Sequence, residues 1–257
     1  MNRGKAILVA GHGSTTKLNE AAVERQTELL RNKGYSVYLG FKGYTKPLLK
    51  NTMVEIADNG FTDVICVPMF MTGGHYSERV IPKQVGLEEG TSSGVADIGG
   101  RKINVRITDT IGTHRLMTDI LAKISESAEI RGNNRGILLF GSGSSKPDNS
   151  EMIEENARRL REMGVPAYSA FRKYNTPNPK DAVIGMRDDG IDDIVMIPMT
   201  IASSGHGDRD FALLPEFEQD DGTLIIGGER IFITYASPVG SHDSVSLILE
   251  DLIKQYL

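Results

Sequence analysis

His12 and His75 are two of only five histidines in the chain, and each stands beside glycine. Gly11-His12-Gly13-Ser14 follows the apolar run Ala6 to Ala10, and Gly73-Gly74-His75 follows the apolar run Val64 to Val67. Glycine lets the backbone turn sharply and lets a ligand come close. Neutral imidazole is a common ligand for divalent transition metals and takes up a proton near neutral pH. With Glu78 three residues beyond His75, the pair could hold a metal ion and leave coordination positions open. Other readings of the same residues stand beside this one. The GHGS segment also suits a phosphate-cradling turn, or a helix start capped by Ser14. His75 by itself also suits a hydrogen-bonded loop position. Cys66 lies inside an apolar strand and reads as a small buried hydrophobe.

These residues must be positioned by repeated elements. Gly11–Ser14 recurs as Gly141–Ser144, Phe41–Pro47 as Phe171–Pro177, and Gly60–Met69 as Gly190–Met199, all at an offset of 130. Ile111-Gly-Thr-His114 recurs as Val239-Gly-Ser-His242 at an offset of 128, so small indels lie between. The chain is a tandem duplication with its seam near residues 129–135, which predicts lobes at 1–130 and 131–257. Each half alternates short apolar strands with helical periodicity, the pattern of parallel strands joined by helical crossovers. Strands are expected at 6–10, 36–41, 64–67 and 103–107, and again at 137–140, 167–171, 194–197 and 231–235. The expected fold class is α/β: two similar three-layer lobes with parallel sheets, related by an approximate two-fold axis, with the active site in the cleft between them. Ligands of such sheets bind beyond the carboxyl ends of the strands, where His12 and His75 stand.

The halves are not equivalent. Ser142 replaces His12 in the second, while His206 remains in the loop that answers His75. A structural element would have little reason to lose one histidine of a pair, whereas a duplicated site that needs one competent copy would. His206 is therefore expected to contribute little, and Ser142 to line the cleft without binding metal. His114 and His242, repeated after Gly-Thr and Gly-Ser, point to a shared structural role.

Composition narrows the function classes. Of the 257 residues, 39% are hydrophobic and 25% charged, as in ordinary globular chains. A net charge of −5 argues against broad nucleic-acid or anionic-membrane binding. One cysteine excludes an internal disulfide and a cysteine-cluster metal site. No run approaches the ~18 apolar residues of a membrane span, and the N-terminal apolar run is shorter than the ~7–15 residues of a signal-peptide core. A cytoplasmic protein is expected.

A first strand ending in GHGS, a strand reading Val67-Pro-Met-Phe70, then Gly73-Gly-His75 and Ile81-Pro82, resembles the class II tetrapyrrole chelatases, and among them the sirohydrochlorin chelatases. The resemblance spans nearly the whole chain, and the two fused repeats match the longer members. It implies insertion of a divalent metal, cobalt foremost and nickel or iron otherwise, into sirohydrochlorin on the way to cobalamin, F430 or siroheme. His12 and His75 then handle the metal, and Glu78 stands for the acidic residue that the family carries ahead of the Ile-Pro pair. The metal and the tetrapyrrole are substrates, no organic cofactor is needed, and fusion of the repeats suggests a monomer. Ser14, Lys42, Arg79, Ser142 and His206 are the candidate substrate contacts, with Lys46, Arg115, Arg172 and Lys173 as further cations for the macrocycle's carboxylates. A non-enzymatic tetrapyrrole or metal carrier of the same fold is the alternative, and a phosphosugar enzyme using the GHGS turn is another.

Overall fold

The computed structural model describes residues 4–14, 17–202 and 222–257, together with the backbone of 218–220. It forms two compact units, residues 1–114 with 241–257, and residues 115–240.

The first unit holds strands β1 (Ala6–Gly11), β2 (Val37–Phe41), β3 (Asp63–Pro68), β4 (Ser93–Ile98) and β5 (Arg101–Ile107) in the order β2-β1-β3-β5-β4. β1 pairs in parallel with β2 and β3, and β3 with β5. All six residues of β1 are buried, because helices cover both faces of the sheet. On one face Leu8 and Cys66 pack with Leu49, Met53 and Ile56 of α2 (Leu49–Asp58). On the other lie α1 (Leu18–Asn32) and the C-terminal helix, with Val23, Leu30, Ile248 and Leu249 buried. A π-turn (His75–Val80) runs into the short helix α3 (Ile81–Gln84).

The second unit repeats the plan. Its strands are β6 (Arg135–Gly141), β7 (Ala167–Phe171), β8 (Asp193–Pro198), β9 (Glu218–Asp220), β10 (Thr223–Ile226) and β11 (Glu229–Tyr235), in the order β7-β6-β8-β11-β10-β9. Helices α5 (Asp148–Glu162) and α6 (Pro179–Asp188) pack against β6 and β7. The loops 11–14 and 141–144 therefore leave equivalent central strands, as the sequence repeat requires.

Two details refine the expected α/β plan. The sheets are mixed, because β4 pairs antiparallel with β5 and β10 with β11. Each hairpin turns on a Gly-Gly pair, Gly99-Gly100 and Gly227-Gly228, with positive φ at both residues; that is the geometry of a two-residue hairpin turn matched to strand twist. The compact units also differ from lobes 1–130 and 131–257. Helix α4 (Leu116–Ser127), from the first repeat, packs on α5 in the second unit, and α7 (Val245–Lys254), from the second repeat, packs on α1 in the first. Each repeat thus donates its last helix to the other's sheet.

Polar contacts fasten α7 to the first unit. Arg25 pairs with Asp243, Lys33 with Glu250 at 2.5 Å, and His114 Nε2 lies 3.1 Å from Asp251. The last contact gives His114 the structural role expected of it. Lys254 foremost, then Lys33, holds the Glu250 carboxyl down to about 2. A carboxyl depressed on folding stabilises fully above its unfolded value of ~4.3, and that contribution drains as pH falls through the folded value. Glu250→Gln should therefore flatten the loss of stability between about pH 4.5 and pH 2, read from urea midpoints across that window. An unchanged slope would remove Glu250 from the acid response.

No helix of the described residues is long and apolar enough to cross a membrane.

Candidate functional site

Three neighbouring parallel strands deliver the candidate residues at their carboxyl ends. His12 follows β1, Lys42 follows β2, and Phe70 with the His75 loop follows β3. Gly13 makes the first turn possible. It has φ +74°, and a Cβ there would sit 2.1 Å from the Gly43 carbonyl oxygen. Gly143 repeats this in the second unit, with φ +72° and the Lys173 carbonyl oxygen 1.8 Å from a Cβ. A side chain at either position meets backbone, so glycine is required twice by the same packing.

The His12 ring is half-buried, and its Nδ1 donates to the Gly13 carbonyl at 2.7 Å. This assigns the proton to Nδ1 and leaves the Nε2 lone pair available, the arrangement that prepares an imidazole for a metal. His75 opens the π-turn after Gly74 and is exposed. The residue that both rings touch is Tyr76. Its ring lies 4.9 Å from that of His12 and 5.4 Å from that of His75, edge to face in both cases. Phe70 stacks near Tyr76 at 6.4 Å and meets His12 edge-on at 6.2 Å. Lys42 Nζ stands 3.5 Å over the Tyr76 ring, a cation–π contact. Gln84 of α3 donates to the Lys42 carbonyl at 2.8 Å. Sequence reasoning missed Tyr76, Phe70 and Gln84; an aromatic residue directly following a candidate ligand in a strand-end loop was the available signal for Tyr76.

Glu78 does not join the histidines. Its Oε1 accepts from the Gly74 N–H at 2.8 Å, so the carboxylate braces the turn that presents His75. Among the described residues no three His, Cys, Asp or Glu side chains come together to hold a metal. Glu78 lines instead a cavity of about 290 Å³ with Thr91, Thr108 and Asp109. The reason is local: the Glu78 N–H donates to the Gly74 carbonyl at 2.9 Å, one turn back, so its side chain folds over Gly73 and Gly74 at the start of the turn.

The other candidates divide. Ser14 donates through its N–H and its hydroxyl to Glu20, at 2.8 and 2.9 Å, and Thr45 also donates to that carboxylate. Burial pushes the Glu20 carboxyl up, but the hydrogen bonds from Thr45 and Ser14 outweigh it and hold the group below the ordinary range. Ser14 is thus engaged in the foundation of the His12 loop. In the second unit Asn175, in the position of Thr45, accepts from the Ser144 N–H at 2.8 Å and braces the equivalent loop. Arg79 lies 3.4 Å from Glu89, which Lys83 also contacts. Arg172 lies over the Phe140 ring and Lys173 over the Tyr174 ring. Lys46 and Arg115 are exposed, and Ser142 is exposed on its loop. His206 lies outside the described residues. Burial pushes the Cys66 thiol up to about 12, so it is an inert core residue, as the sequence suggested.

Comparison with known proteins adds to this geometry. Residues 6–128 and again 136–256 match the model of the CbiX family. A sirohydrochlorin cobaltochelatase of Methanococcoides burtonii is 28% identical over 123 residues, which cover 47% of this chain and 94% of that protein. A probable sirohydrochlorin cobaltochelatase of Halobacterium salinarum is 24% identical over 225 residues, 80% of this chain and 75% of that one. Among solved structures, SirB from Bacillus subtilis with Fe3+ superposes at a TM-score of 0.74 and 17% identity, covering 99% of this chain and 95% of that one. DR2241 from Deinococcus radiodurans, a multi-domain protein similar to chelatases, superposes at 0.77 and 23% identity. That match takes in 96% of this chain and 54% of DR2241, so the chain spans about half the length of that protein. At these identities the structural likeness concerns the fold.

Proposed function

The chain belongs to the CbiX family, and from this premise we propose that it inserts a divalent metal, cobalt in the first place, into sirohydrochlorin. The observation that carries the proposal is the pair of imidazoles gathered on Tyr76 at neighbouring strand ends, with His12 Nε2 left free by the bond from Nδ1 to Gly13. The relatives named as sirohydrochlorin cobaltochelatases support both the macrocycle and cobalt.

The reaction exchanges one M²⁺ for two pyrrole protons, so the protein must hold the ion, shed its waters and remove the protons. His12 Nε2 and the His75 imidazole supply two nitrogen ligands, few enough to leave the remaining positions for the ring nitrogens. Nitrogen donors of this kind accept cobalt, nickel and iron alike, so metal supply selects among them more than affinity order does. As each metal–imidazole bond is exchanged for a metal–pyrrole bond, the freed imidazole accepts a departing proton, the general-base role that imidazole most often fills. Lys42 presents an ammonium beside the histidines for a carboxylate of the macrocycle. No organic cofactor and no covalent intermediate enter this scheme. With both repeats on one chain, the protein works as a monomer in it.

The test is anaerobic: sirohydrochlorin with Co²⁺, Ni²⁺ or Fe²⁺ in turn, following the absorbance change on insertion. Enzyme-dependent insertion above the spontaneous rate is expected, with Co²⁺ among the metals inserted. Tight macrocycle binding with no acceleration for any metal would replace the chelatase reading with that of a carrier.

A further inference from the structure

Tyr76 is 40% exposed, yet its ring touches His12, His75, Phe70 and Lys42. Its hydroxyl has no hydrogen-bond partner among the described residues, so the contacts it makes are those of the ring. Both imidazoles meet that ring edge to face, at 86° and 72°, the arrangement that the aromatic quadrupole favours. Lys42 adds a positive charge on the ring's face at 3.5 Å, and the Lys42 backbone is itself held by Gln84. Residues that follow β2, β1 and β3 thereby converge on one side chain, and α3 holds the backbone of one of them.

Fixing one imidazole needs more than its backbone. His12 has a bond at Nδ1 to set its tautomer. The exposed His75 ring makes no such bond among the described residues, and its orientation rests on the edge-to-face contact with Tyr76. A side chain that turns freely must be immobilised again for each ion it binds, which weakens affinity.

We propose that Tyr76 is the positioning residue of this site: its ring orients the His12 and His75 imidazoles towards a shared ion, and Lys42 on its face holds the ring in place. The inference deepens the metal-insertion reading and rests on it for the identity of the ion, while its test does not need the macrocycle. An edge-to-face pair is worth up to about a tenfold factor in an equilibrium, so losing two should be measurable.

Co²⁺ is titrated into the whole protein without macrocycle, and its visible ligand-field bands are recorded for wild type, Tyr76→Phe and Tyr76→Leu. Circular dichroism first establishes that each variant is folded. Tyr76→Leu should bind Co²⁺ at least about tenfold more weakly, with altered bands. Tyr76→Phe, which keeps the ring, should restore affinity to within about threefold of wild type together with its spectrum. In insertion assays Tyr76→Leu should lower kcat while leaving the KM for sirohydrochlorin little changed. Wild-type affinity and spectrum in Tyr76→Leu would overturn the assignment, and so would a Tyr76→Phe variant as impaired as Tyr76→Leu. If the wild type inserts no metal but Tyr76→Leu still loses Co²⁺, the chelatase reading fails and the positioning role stands. If the wild type inserts metal and Tyr76→Leu binds Co²⁺ unchanged, the positioning role fails and the chelatase reading stands.

Discussion

Replacing His12 or His75 by alanine should slow metal insertion by about 10²–10⁴-fold, the usual worth of a positioned acid–base group. Ligation adds to this, because one remaining nitrogen neither places the ion nor leaves a spare base. The two losses should be far from additive, since the pair acts as a unit and either removal disables it. Macrocycle binding, measured separately by fluorescence quenching, should change little, because neither histidine is offered as a carboxylate contact. Glu78→Gln is the informative companion. A carboxylate that braces the Gly74 N–H through one oxygen can be replaced by an amide oxygen that accepts the same bond, so insertion should fall by less than about tenfold, below the range of a catalytic base. Losses under about tenfold in both histidine variants would sink the histidine-pair mechanism whatever the fold.

The second large effect concerns stability. Arg135, at the start of β6, pairs at 2.7 Å with Asp193, whose side chain is fully buried. The same guanidinium donates to the carbonyls of Ser125 at 2.7 Å, Ala128 at 3.0 Å and Glu129. One side chain thus neutralises a buried carboxylate and ties the end of α4 to β6. Arg135→Met leaves Asp193 charged and uncompensated, which should cost ~3–5 kcal/mol in denaturant unfolding. Replacing both partners, Arg135→Met with Asp193→Leu, should recover much of that loss, because two apolar groups carry no desolvation penalty. A single variant within about 1 kcal/mol of wild type would show that the pair contributes no more than a surface one.

Much of the fold was legible in the order of residues. Buried parallel strands demand continuous apolar runs, so β1, β3, β6 and β8 stood out as Ala6–Ala10, Val64–Val67, Ile137–Phe140 and Ile194–Ile197. The repeat at an offset of 130 established their equivalence. The Gly99-Gly100 and Gly227-Gly228 hairpins escaped detection although the signal was present, because the strands ahead of the turns, β4 and β10, interleave exposed and buried residues and form no continuous buried run. The exchange of α4 and α7 had no signal at all, since amphipathic periodicity marks a buried face without naming the sheet that buries it.

The same division runs through the site. His12 and His75 were visible from residue type, flanking glycine and position after a strand, because ligands of such sheets gather at strand ends. The sequence by itself determined which imidazoles follow strand carboxyl ends and that only the first repeat keeps both. Tertiary structure alone decided that Glu78 turns back to Gly74, that Ser14 serves Glu20, and that Tyr76 collects His12, His75 and Lys42 on one ring. The physical reason is direction. Spacing along a chain places a residue on a loop, but where its side chain points depends on a π-turn, a left-handed glycine and neighbours from other strands.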